Sequence, residues 1–359
     1  MLIYGAYGYT GELVTREAVR RGLRPVLAGR RRGPLERLAA ELGLEHRTFA
    51  LQDPATVAEA VAEAGVVVHC AGPFEATAPR VARACIEKGV HYLDVTGEIA
   101  VFAALHRMDG TARERGVTLL PGAGFDVVPT DCLAAHLSRR LPGARRLTLA
   151  FRGLGRPSRG TAATMARNLH RGGAIRRGGR LVAVPPAWRV REVDLGRGPE
   201  RCVSIPWGDV YTAHVSTAIP DVEVYMAAPP ALIALLRATR WLRPLLALRP
   251  VRAAVGRAAR WRPAGPSPGE RRRATSVVWG EVEDGAGRRA AARLWCPEGY
   301  TFTALAAVEL AVRVEAGEAG PGFRTPSQAF GPDLVLGIGE TVREDLPTQD
   351  RKVEETWSG

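Results

Sequence analysis

Along the first third of the chain, short apolar runs alternate with longer stretches in which apolar positions recur every three or four residues. Leu2 to Tyr4 is the tail of a buried strand, and "GELVTREAVRRG" has helical spacing up to Gly22, which stops it. The unit then repeats. "RPVLAG", "HRTFAL", "VVVHCAG", "HYLDV" and "VTLLPGAG" read as strands. Between them "GPLERLAAELG", "DPATVAEAVAEAG" (opened by Asp53 and Pro54), "PRVARACIEKG" and one further segment read as helices. Strands separated by helices of about ten residues imply a parallel sheet covered on both faces.

From "ARRLTLAFRG" onwards the alternation ends, and strand-like pieces ("RRLTLAF", "RLVAVP", "WRVREVDL", "ATSVVWGEVED", "RRAAARLWC") follow one another across Gly/Pro/Asp turns. "YTFTALAAVELAVRVEAG" reads as an amphipathic helix, "TPSQAFGPDLVLGIG" is expected to pack against the first domain, and the residues after Glu340 read as a charged, loosely held tail. The expected fold class is α/β: a Rossmann-type doubly wound parallel sheet plus a second α+β domain with a mostly antiparallel sheet. The boundaries expected are 1–130 for the nucleotide domain, 131–301 for a substrate or dimerisation domain, 302–340 for helices returning to the first domain, and 341–359 for the tail.

That order gives meaning to the opening "MLIYGAYGYTGELVTREAVRRG". A glycine-rich turn between a first strand and a first helix leaves backbone N–H groups aimed where a pyrophosphate accepts them. Gly5 permits the tight turn, Gly8 lets phosphate approach the backbone, and Gly11 lets helix and strand pack closely. The spacing is G-x-x-G-x-x-G, a variant of the common dinucleotide fingerprint, so its place between strand and helix carries the reading. The end of the second strand, "LAGRRRG", lacks the carboxylate that NAD-binding sheets offer to ribose hydroxyls. Arg30, helped by Arg31 or Arg32, offers a planar cation to a 2′-phosphate, which favours NADP(H). Tyr7, Tyr9 and Thr10 in the loop, Asp53 after the third strand, Cys70, Ala71, Gly72, Pro73 and Phe74 after the fourth, and Thr96 and Gly97 after the fifth complete the cofactor-facing set. Gly72 and Pro73 form a small, rigid pair past which ribose or nicotinamide can run.

Hydride transfer to a double bond also needs a proton at the second atom. Asp126 and Tyr211 lead the candidates, Asp126 at a sheet edge and Tyr211 in a segment expected to face the cleft. His170 and His214 follow, His214 in a strand-like stretch where a satisfied structural role competes. Asp94, Glu98 and Asp126 are open between contacting substrate and bracing loops. Without a G-x-S-x-G elbow, acyl transfer and hydrolysis are not expected.

Composition changes this picture in three places. With 359 residues, 46% of them apolar, the chain has material for a large core and two domains. The formal charge of +13 suggests an acidic partner, yet Lys88 and Lys352 are the only lysines and no basic run is interleaved with stacking aromatics, so nucleic acid is not expected. Cys70, Cys85, Cys132, Cys202 and Cys296 are scattered, which points to neither a disulfide framework nor a metal site, and to a reducing cytoplasm. No signal peptide is visible.

Residues 227–262 stand apart: no acidic residue, eight arginines, Trp241 and Trp261, with Pro244 and Pro250 breaking the segment into short helices. It is too interrupted to span a bilayer. Two readings stay open: a cationic amphipathic surface for an anionic membrane or an acidic carrier protein, and an ordinary domain cover or homodimer contact.

Taken together, "GAYGYTG", "LAGR", "AGPF", "YLDVTGE" and "GFDVVPTD" resemble the saccharopine dehydrogenase-like family of NADP-binding oxidoreductases, especially the branch of bacterial trans-acting enoyl reductases; Tyr7 stands where a threonine is usual. "RGTAATM", "IPDVEVYM", "GPSPGERRRATSVVWGEVEDGAGRRAA" and "GYTFTALAAVELA" extend the resemblance through the second half. It implies reduction of an activated C=C or C=N bond in a small-molecule or acyl-type substrate. A non-catalytic NADP-binding scaffold, or a peripheral lipid-surface protein, is the alternative.

Overall fold

The computed structural model describes residues 1–153, 156–168, 171–248, 251 and 264–347. The first domain alternates strands and helices: β1 (Leu2–Tyr4), α1 (Tyr9–Arg20), β2 (Val26–Gly29), α2 (Arg32–Leu42), β3 (His46–Thr48), α3 (Pro54–Val61), β4 (Val66–His69), α4 (Phe74–Lys88), β5 (His91–Asp94), α5 (Ile99–His106), α6 (Asp109–Glu114) and β6 (Thr118–Leu120). Then come α7 (Val128–Arg140), β7 (Arg146–Arg152), α8 (Arg159–Asn168), β8 (Gly173–Arg177), β9 (Arg180–Val184), β10 (Val190–Asp194), β11 (Pro199–Ser204), α9 (Asp209–Thr217), β12 (Asp221–Ala227) and α10 (Pro230–Ala247). The remainder forms α11 (Pro268–Arg273), β13 (Thr275–Glu283), β14 (Arg289–Pro297), α12 (Gly299–Glu315), β15 (Gly322–Phe323), α13 (Pro326–Phe330) and β16 (Val342–Leu346).

Seven strands form the first sheet in the order β3-β2-β1-β4-β5-β6-β15, all pairs parallel. The order reverses direction between β1 and β4, the switch point at which open α/β sheets bind ligands. β1 and β4 read "LIY" and "VVVH" without alternation because helices cover both faces. The second sheet runs β10-β11-β12-β7-β13-β14-β16, with β8 and β9 attached beside β12. Its pairs are antiparallel apart from β12 on β7. One continuous core joins the sheets, running from Ile3 and Val68 through Phe302, Ala306 and Leu310 of α12 and Leu133 and Leu137 of α7 to Leu149, Val278 and Leu294.

Two local expectations are corrected. "DVYTAHVST" reads as a strand because of its β-branched residues, but it forms helix α9, burying Val210 and Ala213 beside α7. The tail expected from residue 341 begins instead with an edge strand. Val342 to Leu346 pair with β14, where Asp345 accepts from Arg140 at 3.0 Å and lies 2.8 Å from the His136 ring nitrogen, and Glu344 pairs with Arg293 at 3.2 Å. Its charged sequence is that of a strand facing solvent at a sheet edge. Residues 348–359 lie outside the described residues.

Candidate functional site

β1 leads straight into the glycine turn. Gly5 has φ +86°, donates its N–H to Ala28 O at 2.8 Å, and lies so close to the β4 loop that a Cβ there would be 2.8 Å from Ala71 Cβ. Gly8 donates to Gly5 O at 2.9 Å and precedes α1. A Cβ on Gly11 would fall 2.2 Å from Gly5 O, so α1 rests directly on the turn. Among the described residues no side chain caps α1, which leaves the N-terminal N–H groups and positive dipole end of a twelve-residue helix facing the switch point. This is a cradle for an anionic group, of the shape a dinucleotide pyrophosphate needs.

At the end of β2 the three arginines separate. Arg32 pairs with Glu36 at 2.5 Å, and Arg31 places its guanidinium 4.9 Å from the centre of the Tyr7 ring. That ring lies against Gly29, where a Cβ would be 2.5 Å from Tyr7 Cε1. Arg30 is exposed, and its guanidinium has no hydrogen bond or ion pair among the described residues. The Tyr7 face, Arg31 and Arg30 line one edge of the cradle, where an adenosine 2′-phosphate would lie. Asp53, also in the cofactor-facing set, caps α3: its carboxylate accepts from Ala55 N at 3.2 Å and Thr56 N at 3.3 Å, so its acceptors serve its own helix.

Across the switch point, Cys70 donates its N–H to Tyr4 O at 2.8 Å, and burial pushes its thiol up to about 12, leaving it inert. Pro73 precedes α4, and the Glu98 carboxylate accepts the Phe74 N–H at 3.3 Å. Thr96 is buried and its Oγ1 accepts Glu98 N–H at 3.1 Å. Asp94 is a brace. It accepts from Tyr92 OH at 2.8 Å, Thr96 N at 3.0 Å and Gly122 N at 3.1 Å, tying β5 to the loop after β6, and burial lifts its carboxyl to about 6.

Asp126 differs. Its carboxyl packs on Gly97, where a Cβ would be 2.9 Å from Oδ2, and it has no hydrogen-bond partner among the described residues. Burial first, and the Glu98 charge second, push it up to about 7. Its backbone carbonyl accepts Trp207 Nε1–H at 2.7 Å, so the second domain fixes its position. Beside Glu98 and Pro73 lies a cavity of about 290 Å³ whose far wall is α8, with Thr164, Arg167 and Asn168.

The glycine turn is also roofed. Tyr9 donates its OH to Pro266 O at 2.6 Å, receives Arg271 Nη1 at 2.8 Å, and meets Tyr300 edge-on at 5.0 Å. Tyr300 OH in turn accepts Ser158 N–H at 2.6 Å. Tyr9 is thus a clasp between the domains. The role of Arg271 was not foreseen, although its "GERRR" segment stands out in the sequence.

The other acid–base candidates part from the cleft. Tyr211 OH pairs with His106 Nδ1 at 2.9 Å, at the far end of α5 from Glu98, about 12 Å away along the helix. His214 sits in α9 and its Nδ1 pairs with Ile219 O at 2.8 Å, closing the helix end. His170 lies outside the described residues. Asp209, which sequence reasoning passed over, is fully buried beside the Thr130 hydroxyl, and burial raises it well above the usual range.

The profile of the saccharopine dehydrogenase NADP binding domain matches residues 1–120. Over those residues the first domain is similar to the NADP-binding domain of that family. An NADP cofactor bound in such a domain would have the glycine turn, the β2 arginines and the loop after β4 available to it. Among curated relatives, the Bos taurus saccharopine dehydrogenase-like oxidoreductase is 29% identical over 171 residues, 42% of this chain and 40% of its own. The trans-acting enoyl reductase of Mycobacterium ulcerans is 29% identical over 148 residues, 39% of this chain and 35% of its own. The chain thus spans about two fifths of the length of these relatives or less. Apo saccharopine dehydrogenase (L-Glu forming) from Saccharomyces cerevisiae has the same fold, with a TM-score of 0.66 at 12% identity over 96% of this chain and 99% of its own.

Proposed function

We propose that the protein is an NADPH-dependent reductase acting on an activated C=C or C=N bond, with Asp126 as the proton donor. The observation that carries this reading is the Asp126 carboxyl: partly accessible, without a hydrogen-bond partner among the described residues, and lifted by burial and by Glu98 to about 7. A carboxylic acid that keeps its proton near neutral pH and spends no hydrogen bond on its surroundings is suited to general acid work. When bound, NADPH supplies the hydride.

The chain does the rest. The uncapped end of α1 and the Gly5–Gly11 turn hold the pyrophosphate, while Arg30 and the Arg31–Tyr7 pair face the 2′-phosphate. Trp207 and Gly97 fix Asp126 at the carboxyl edge of β6, and the Tyr9–Arg271–Pro266 clasp keeps the second domain over the turn and water out. Burial, and after it the charge of Glu98, keeps the proton on Asp126. The name of the enoyl reductase relative supports C=C reduction, and the saccharopine dehydrogenase-like oxidoreductase relatives keep C=N reduction beside it.

The test follows NADPH oxidation with a panel of enones, enoyl thioesters and imines. With any substrate that turns over, Asp126→Asn is expected to lower kcat by about 100-fold or more with NADPH affinity unchanged. Turnover by Asp126→Asn at the wild-type rate would sink the assignment.

A further inference from the structure

Helix α10 presents two apolar faces. Ile233 and Thr239 are buried, with Leu232 and Leu236 packed beside Ile233 against Ala187 and Val203 of the second domain. On the other side Ala231, Ala234, Leu235, Ala238 and Trp241 are all exposed, at the i, i+3, i+4, i+7, i+10 spacing of one stripe. Leu235 is 63% and Trp241 88% exposed. Leu248, seven residues beyond Trp241, is 50% exposed. The helix is held firmly. Arg240 donates to Pro186 O at 2.8 Å and Ala187 O at 2.7 Å, which ties to α10 the turn bearing Trp188, itself 40% exposed.

We propose that this stripe docks on an anionic lipid surface, with α10 lying in the plane of the interface. Two observations select this occupant. In sequence the segment 227–262 carries eight arginines and no acidic residue, and among the described residues Arg237 is exposed beside the stripe, a composition that favours phosphate headgroups over the charge-balanced face of a second copy. The stripe is also small. From Ala231 to Trp241 it spans about 15 Å of helix, far short of the roughly 800 Å² per partner of a stable protein interface. A tryptophan and a leucine among alanines, with the exposed Arg237 beside them, is the composition of an interfacial helix, the indole suited to headgroup depth and the guanidinium to phosphate. No helix among the described residues is long and apolar enough to cross a membrane, so contact is at the surface.

The experiment is co-sedimentation of the full chain with vesicles of phosphatidylcholine, with and without phosphatidylglycerol, comparing wild type with Leu235→Glu/Trp241→Glu. Both side chains point to solvent, and an unchanged thermal midpoint shows that the variant folds. We expect binding to the anionic vesicles, weak binding to pure phosphatidylcholine, and about a tenfold or greater loss of partitioning in the variant. Leu235→Met/Trp241→Phe is expected to retain most of it. Equal partitioning of wild type and the double Glu variant, no binding to either vesicle, or a wild-type dimer dissociated by the Glu changes without vesicle binding would each overturn the proposal.

Discussion

Replacing Asp126 by Asn offers a test that needs no substrate. The carboxyl has an ordinary value near 3.8 in the unfolded chain and stands at about 7 in the fold. Between those two values the native state holds a proton that the unfolded state has released, so stability falls as pH rises, by about 1.4 kcal/mol per pH unit. Below about pH 4 both states are protonated, and above about pH 7 both are ionised, so the loss is confined to that window. The ceiling is therefore about 4 kcal/mol. Asp126 keeps part of its surface in water, which screens its charge and brings the expected effect to about 1–3 kcal/mol. Asn cannot ionise. Urea denaturation of both proteins from pH 4 to pH 8 should show the variant gaining about 1–3 kcal/mol on the wild type as pH rises. Subtracting the two curves removes most of the contribution of Asp94, Asp131 and Asp209, which are also raised by burial. A difference constant to within about 0.5 kcal/mol over that range would show that Asp126 titrates as an ordinary surface carboxyl, and the general-acid argument would lose its basis. If it is the donor, the rate of reduction should fall as pH rises through about 7.

Three further outcomes follow from the same geometry. Arg30→Glu places a carboxylate beside the 2′-phosphate position and leaves Arg31 alone to offset it, so calorimetry should show NADPH affinity falling about tenfold or more while NADH affinity changes little; equal losses would remove Arg30 from the site. Gly11→Ala forces a Cβ to within 2.2 Å of Gly5 O, and α1 must lift off the turn. Thermal melts should show a loss of about 1–3 kcal/mol, with NADPH affinity lowered as well. Tyr211→Phe removes the bond to His106, so about 1 kcal/mol of stability should go while NADPH turnover persists; abolished turnover would restore Tyr211 as a donor.

The order of strands and helices in the first domain was legible because each element announces itself within a dozen residues: an unbroken apolar run for a strand covered on both faces, a three-to-four spacing for its covering helix. The same locality made Gly5, Gly8 and Gly11 readable, since their work is done between adjacent elements. Helix α9 and strand β16 were not legible. "DVYTAHVST" is helical because α7 offers it a face to bury, and Val342–Leu346 is a strand because β14 has an open edge. The site divides in the same way. That Asp126 follows a strand was visible in the sequence, but its raised pKa comes from desolvation and from Glu98, and its position from Trp207, 81 residues away. Tyr9 read as one of the cofactor-facing residues of a glycine loop; Arg271, 262 residues on, makes it a clasp. Leu235 and Ile233 are two apolar residues of one helix, and only the packing of Ala187 and Val203 on one side decides which is core and which meets solvent. Periodicity is written in neighbours along the chain, whereas burial, partner and pKa are set by neighbours in space, which the chain acquires on folding.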